Sequence, residues 1–206
     1  MKVIGLTGGI GTGKSTAAEY IIKKGYAHVD ADQIGRDITA DGMPLLEIIG
    51  DRFGCVNRSC NTGNGLVLDR KAMADLVFRN PDKRREFDRI VHAEIIKIID
   101  GQISGYKEKG KTDPAIKGIL LDAPLLFEAG INDRCDEVIL IVADIDERIR
   151  RVMLRDNTTE EAVRDRISSQ MGDGEKSRLA DFIVDNSGTP EEMFRQIDEI
   201  LFASFC

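Results

Sequence analysis

The sequence predicts an α/β fold: a parallel five-stranded sheet flanked by helices, with a helical insertion and an arginine-bearing segment attached to it. Three observations predict this. Short apolar runs recur between longer amphipathic stretches, the alternation expected of βαβ units. The first run leads straight into a glycine-rich turn and then into a helical pattern. More than eighty residues separate the second run from the third, far too many for a simple crossover, so a subdomain must be inserted there.

The five strands are read as Lys2 to Thr7, Ala27 to Asp30, Gly118 to Asp122, Glu137 to Val142 and Phe182 to Asp185. Each is nearly continuous in apolar residues, as when helices cover both faces of a sheet. The core then takes in about 1–35, 113–145 and 180–206, and the helical insertion about 36–112. Within the insertion, Asn80-Pro81 supplies a cap followed by proline at the first helical position. Phe87, Ile90, Val91, Ile95 and Ile98 recur behind it at helical spacing and read as a packing face. The tract from Tyr106 to Lys111 reads as an exposed charged connection back to the sheet. After the fourth strand, Arg148, Arg150, Arg151, Arg155, Arg164, Arg166 and Arg178 mark residues 146–179 as a mobile lid, although any one of them also reads as a solvated helix position. Thr189-Pro190-Glu191-Glu192 is a capping box that opens a final amphipathic helix carrying Met193, Ile197 and Ile200.

Composition narrows the function. Hydrophobic residues at 42% and charged residues at 32% are those of an ordinary folded domain. A net charge of −7 argues against a general nucleic-acid binder, which needs clustered cations to neutralise phosphates. No apolar stretch reaches the roughly 20 residues a bilayer requires, and Met1 to Leu6 run directly into the glycine turn, which leaves no secretory segment. A cytoplasmic enzyme without membrane or nucleic-acid partners, monomeric or weakly homo-oligomeric, is expected. Cys55, Cys60, Cys135 and Cys206 lack metal-ligand spacing and read as reduced thiols, and His28 in its strand reads as a packed or surface residue.

The chemistry sits in the first turn. Gly8-Gly9-Ile10-Gly11-Thr12-Gly13-Lys14-Ser15 matches the Walker pattern, and it lies where that pattern works, between an apolar strand and an amphipathic helix. Glycines let the backbone wrap a phosphate, while the helix offers unpaired N–H groups and its positive end to the same anion. The backbone from Gly9 to Gly13 would cradle the phosphates of ATP, Lys14 would reach the β- and γ-phosphates, Ser15 would meet Mg2+, and Thr16 the α-phosphate. The fold is therefore of the P-loop kinase type. In open α/β sheets ligands lie beyond the carboxyl ends of the strands, so acids just past strands two and three face the phosphates. Asp32 is placed to accept a proton from an acceptor hydroxyl, and Asp122 to bind Mg2+ directly or through water; each also reads as a turn or cap residue. Among the lid arginines, Arg155 and Arg151 are the candidates for the transferring phosphoryl group.

Several segments together resemble the dephospho-coenzyme A kinase family over nearly the whole chain. They are Gly5 to Thr16, Asp30-Ala31-Asp32, Asp69-Arg70, Pro124-Leu125-Leu126-Phe127-Glu128, Arg155-Asp156, Arg166 with Gln170, and Ala180-Asp181-Phe182 leading to Asn186. The resemblance implies ATP-dependent phosphorylation of the 3′-hydroxyl of dephospho-coenzyme A, with a core, a helical substrate domain and a lid. It implies that Asp32 is the catalytic carboxylate, that Arg155 lies near the nucleotide and Asn186 near the adenine, and that Thr7, Arg36, His92, Leu125 and Phe127 serve the acceptor. Three positions depart from the family pattern: His92-Ala93 stands where His-Pro is usual, Arg148 where glutamine is frequent, and Gly172-Asp173-Gly174 replaces a more apolar lid segment. Two other readings share the Walker turn. Another small-molecule kinase would differ only in its acceptor contacts. A GTP switch is suggested by Asp32-Gln33-Ile34-Gly35 and Asp51-Arg52-Phe53-Gly54, but the chain has no Asn-Lys-x-Asp to read guanine.

Overall fold

The computed structural model describes residues 1–59 and 65–203; the readings at Cys60 and Cys206 lie outside the described residues. In chain order its strands are β1 (Val3–Gly8), β2 (Tyr26–Asp30), β3 (Val56–Arg58), β4 (Leu66–Leu68), β5 (Gly118–Asp122), β6 (Glu137–Val142) and β7 (Phe182–Asp185). The helices are α1 (Lys14–Lys23), α2 (Ala31–Ile38), α3 (Leu45–Phe53), α4 (Arg70–Arg79), α5 (Pro81–Lys109), α6 (Ile145–Asp156), α7 (Glu160–Ser168), α8 (Asp173–Leu179) and α9 (Pro190–Ala203). The chain divides into two compact units, with the boundaries after Asp30 and after Gly101.

In the first unit the strands run in parallel in the order β2-β5-β1-β6-β7. β1 has β5 on one side and β6 on the other, so the chain leaves it at the point where the winding reverses, which is where open α/β sheets bind ligands. Every residue of β1 and β5 is buried. One face packs Ile4, Leu6, Leu120, Ile139 and Ile141 against Ala17, Ala18 and Ile21 of α1 and Met193, Ile197 and Leu201 of α9. On the other face the chain after β5 comes so near that a Cβ at Gly5 would stand 2.7 Å from Cys135 Sγ and 3.0 Å from Leu126. Burial there pushes the Cys135 thiol up to about 12, so it is a packing group and not a nucleophile.

Three of the five expected strands, β5, β6 and β7, stand where expected, while β2 begins one residue earlier, at Tyr26. β1 is displaced by one residue, to Val3–Gly8. At α9 the capping box forms as drawn, with Thr189 N–H donating to Glu192 Oε2 (2.8 Å) and Glu192 N–H to Thr189 Oγ1 (3.3 Å).

The second unit is built from α2, α3, α4, the greater part of α5 and the antiparallel pair β3–β4. Asn80 caps α5 by accepting from the Asp82 and Lys83 N–H groups, both at 3.1 Å. The expected stripe on α5 is half-buried, with Phe87 set edge-on to Phe53 at 5.8 Å. Besides its helices the insertion holds a small ladder formed by β3 and β4. The Tyr106–Lys111 tract is not a connection over most of its length, since α5 continues to Lys109. Nothing before Gly110 breaks a helix there, and Lys107 and Lys109 suit its negative end.

Candidate active site

β1 delivers the chain to a loop that only glycine can complete. Gly11 and Gly13 have φ of +80° and +89°, and a Cβ at Gly8 would stand 2.8 Å from the Ile141 carbonyl oxygen. The loop is closed by the buried Thr12, whose hydroxyl donates to the Gly9 carbonyl at 2.9 Å. Thr12 offers its own carbonyl to the Asn186 side-chain amide at 2.8 Å. α1 then starts at Lys14 directly beyond Gly13, with no side chain capping its first turn. Its N–H groups are therefore left to an anion. Ser15 and Thr16 are exposed in that first turn.

Lys14 Nζ is ion-paired with Asp122 Oδ1 at the end of β5. The β2–β5 register sets Asp30 opposite Asp122 and His28 opposite Leu120, which brings His28 Nε2 to 3.6 Å from the second carboxylate oxygen. Burial alone would raise the Asp122 carboxyl, but His28 and the Lys14 ammonium outweigh it and hold it below the usual carboxylate range. The cluster thus carries a fixed cation and a fixed anion at the mouth of the phosphate loop. Among the described residues no group of three or more His, Cys, Asp or Glu could hold a metal by itself. Mg2+ that arrives with a nucleotide takes one or two protein oxygens and fills its remaining positions with phosphate and water. The Ser15 hydroxyl and the ionised Asp122 are the oxygens that fit.

The arginine-bearing segment forms α6, α7 and α8, and α6 packs on the Walker loop. Ile10 joins a cluster of Ile149, Val152 and Val163, and its N–H donates to Gln170 Oε1 at 3.1 Å. Arg148 Nε donates to the Ile10 carbonyl at 2.9 Å, and Arg148 NH1 pairs with Asp173 at 2.7 Å. Arg151 donates to the Asn186 carbonyl at 2.9 Å and to Glu147 at 2.8 Å. Arg150 and Arg151 together hold the Glu147 carboxyl down to about 2. Arg155, by contrast, is exposed and pairs with its neighbour Asp156, which Arg166 also contacts at 2.8 Å.

A family model described as dephospho-CoA kinase matches residues 2–192. The chain belongs to the dephospho-CoA kinase family. The dephospho-CoA kinase of Carboxydothermus hydrogenoformans is 37% identical over 201 residues, covering 98% of this chain and 93% of that one. A Thermus thermophilus protein of known structure superposes with a TM-score of 0.80 at 29% identity, covering 100% of this chain and 98% of its own. The dephospho-CoA kinase of Campylobacter jejuni superposes with a TM-score of 0.67 at 26% identity, covering 97% and 94%. The chain is accordingly an ATP-dependent kinase with a P-loop kinase fold, of a family that phosphorylates dephospho-coenzyme A in the last step of coenzyme A synthesis.

Other residues singled out by the family resemblance fall in different surroundings. Asp32 and Arg36 lie one turn apart on the exposed side of α2, whose Ala31, Ile34 and Ile38 are buried, and Arg36 donates to Gln33 Oε1 at 2.8 and 3.2 Å. His92 is exposed on α5. All three belong to the second unit. Leu125 is 46% exposed and Phe127 half-buried, on either side of the fully buried Leu126. Thr7 is fully buried and donates its hydroxyl to the Pro124 carbonyl at 3.2 Å. The Asn186 amide is likewise committed to Thr12, so its side chain buttresses the phosphate loop and any adenine contact falls to the surrounding backbone.

Sequence reasoning left four residues without a role. His28 was detectable from the strand period, which puts it on the same face as Asp30. Arg148 shares the buried row of α6 with Val152. Asp173 stood out only as part of the Gly172-Asp173-Gly174 departure from the family pattern, with nothing to name its partner. Lys176 gives no sequence signal, since α8 is short and polar, yet its ammonium is completely buried between the Pro124 carbonyl and Glu128, both at 2.9 Å.

Proposed function

We propose that this chain moves the γ-phosphoryl group of Mg·ATP to the 3′-hydroxyl of dephospho-coenzyme A, giving coenzyme A and ADP, with Asp32 as the group that receives the hydroxyl proton. The observation that carries the reading is the Lys14–Asp122 pair at the mouth of a glycine loop whose positive-φ backbone leads straight into the uncapped first turn of α1. The 3′-oxygen attacks the γ-phosphorus, the bond from that phosphorus to the β–γ bridging oxygen breaks, and the proton passes to Asp32 as attack proceeds. Asp32 stands two residues beyond the end of β2, exposed and in the first turn of α2.

Lys14 follows the β- and γ-phosphates, its ammonium exchanging Asp122 for phosphate oxygens. Ser15 and Asp122 would hold Mg2+, which would supply neutralising charge to the phosphate oxygens. Thr16 and the N–H groups from Gly9 to Gly13 orient the α- and β-phosphates. Arg155 supports the transferring group: Arg148 and Arg151 are committed to protein partners, whereas the Arg155–Asp156 pair is exposed and screened by water, so it opens at little cost. Leu125 and Phe127 offer apolar surface to the pantetheine arm, and Arg36 and His92 offer cations or donors to its phosphates. The enzyme works in the cytoplasm as a monomer or weak homo-oligomer.

A coupled ADP-release assay with dephospho-coenzyme A, nucleoside monophosphates and water as acceptors tests the assignment. Turnover should be far faster on dephospho-coenzyme A, and equal rates on all acceptors would remove the specificity while leaving the ATP site. Asp32→Asn should bind ATP with unchanged affinity and lose transfer by two or more orders of magnitude, within the range for a general base of about 10²–10⁴. Unchanged turnover in that variant would eliminate Asp32 as the base.

A further inference from the structure

Lid residues seize both peptide groups of one residue of the Walker loop. The Ile10 N–H is bonded to Gln170, its carbonyl to Arg148, and its side chain is packed among Ile149, Val152 and Val163. The Arg148 guanidinium lies over the loop so closely that a Cβ at Gly9 would collide with it, and its side chain is only 4% exposed. A buried cation persists only where it is both paired and hydrogen-bonded. Asp173 provides the pairing, and it stands in the first turn of α8, the helix that Lys176 fixes to Pro124 and Glu128. Arg148 and Asp173 are both positions where the sequence departs from the family pattern, and in the structure they meet each other.

We infer that Arg148 and Asp173 act as a positioning pair that holds the Walker loop in its phosphate-receiving shape and ties that shape to the seating of α8. The inference rests on the reading of the Walker loop as the ATP site and is independent of the acceptor. Arg148 gives the Ile10 carbonyl a fixed donor, and Asp173 fixes Arg148. Without the pair, Ile10 must be ordered when nucleotide binds. Fixing one residue's backbone corresponds to roughly tenfold in an equilibrium constant. The lost restraint acts on nucleotide binding and transition state alike, so it raises KM and Kd for nucleotide and leaves kcat nearly unchanged.

The test measures Mg·ADP affinity by calorimetry, well below the unfolding temperature, in the wild type, Arg148→Met, Asp173→Asn and the double variant. Arg148→Met should bind about tenfold more weakly, and Asp173→Asn a few-fold more weakly. The double variant removes the buried charge as well as its partner, so it should regain thermal stability relative to Asp173→Asn while staying about tenfold weak for nucleotide. KM for dephospho-coenzyme A should stay within about twofold of the wild type throughout. Wild-type affinity in the folded Arg148→Met or double variant would show that Arg148 only supports the fold, and wild-type affinity in Asp173→Asn would remove Asp173 from the pair; either overturns the inference. Wild-type enzyme that binds Mg·ADP but fails to phosphorylate dephospho-coenzyme A would count against the acceptor assignment alone.

Discussion

Replacing Lys14 by Met should do two separable things. The ammonium contacts Asp122, and the two side chains retain 15% and 10% exposure, so the pair is largely withdrawn from water. Taking one member from a buried pair costs about 3–5 kcal/mol, and the low end applies here because both side chains keep some contact with water. About 3 kcal/mol corresponds to roughly 6–12 °C in Tm for a chain of this size. The pH dependence is diagnostic. In the wild type the folded Asp122 pKa lies below its ordinary 3.8, so its contribution is present above that value and is lost as pH falls through the lower folded value. In Lys14→Met burial dominates and the folded pKa moves up. Protonation then relieves the variant first, and the gap to wild type closes as pH falls from 7 toward 4. Lys14→Met/Asp122→Asn, with neither charge, should recover most of the stability at pH 7 and none of the activity. Thermal unfolding followed by circular dichroism at pH 7 and pH 4.5 decides it. A gap equal at both pH values, or a double variant no more stable than the single one, would refute the electrostatic account of the pair.

Two further outcomes are expected. Gly13→Ala puts an L side chain at φ +89°, worth about 1–2 kcal/mol, and drives its methyl into the Asn186 amide. Losing the Asn186 donor to the buried Thr12 carbonyl adds about 1–3 kcal/mol, so a thermal melt should fall by at least about 4 °C, and an unchanged melt would contradict the loop geometry. The Glu147 carboxyl should titrate near pH 2 in the folded enzyme by NMR, well below its ordinary 4.5. The stability it lends is therefore full above pH 4.5 and fades as pH falls toward 2; a midpoint near 4.5 would mean that Arg150 and Arg151 do not hold it.

The sheet and the phosphate loop were legible because each rests on a short-range rule. Ile119 to Leu121 and Val138 to Ile141 are uninterrupted apolar runs with no other use, and the glycine pattern specifies the positive φ found at Gly11 and Gly13. The caps at Asn80 and Thr189 are equally local. The ladder of β3 and β4 escaped because three-residue strands, one of them Val-Asn-Arg, hold too few residues for a period to emerge. The site was harder to read. Arg148 and Arg150 are two residues apart on one helix, hence about 200° apart around it, and only the first turns inward; composition treats them alike. The Thr7 bond to the Pro124 carbonyl was hidden for a related reason, since it depends on how the chain beyond β5 folds back. Lys176 depends on the same distant segment, and no pattern within Asp173–Leu179 announces its burial.

The Lys176 amine is shut away from water altogether, so reagents that acylate surface lysines cannot meet it while α8 lies on Pro124 and Glu128. Its reaction has to wait for that helix to lift. The pace at which this one amine becomes marked is therefore a clock for a motion that would otherwise leave no trace, and whatever clamps the helix down will slow the clock.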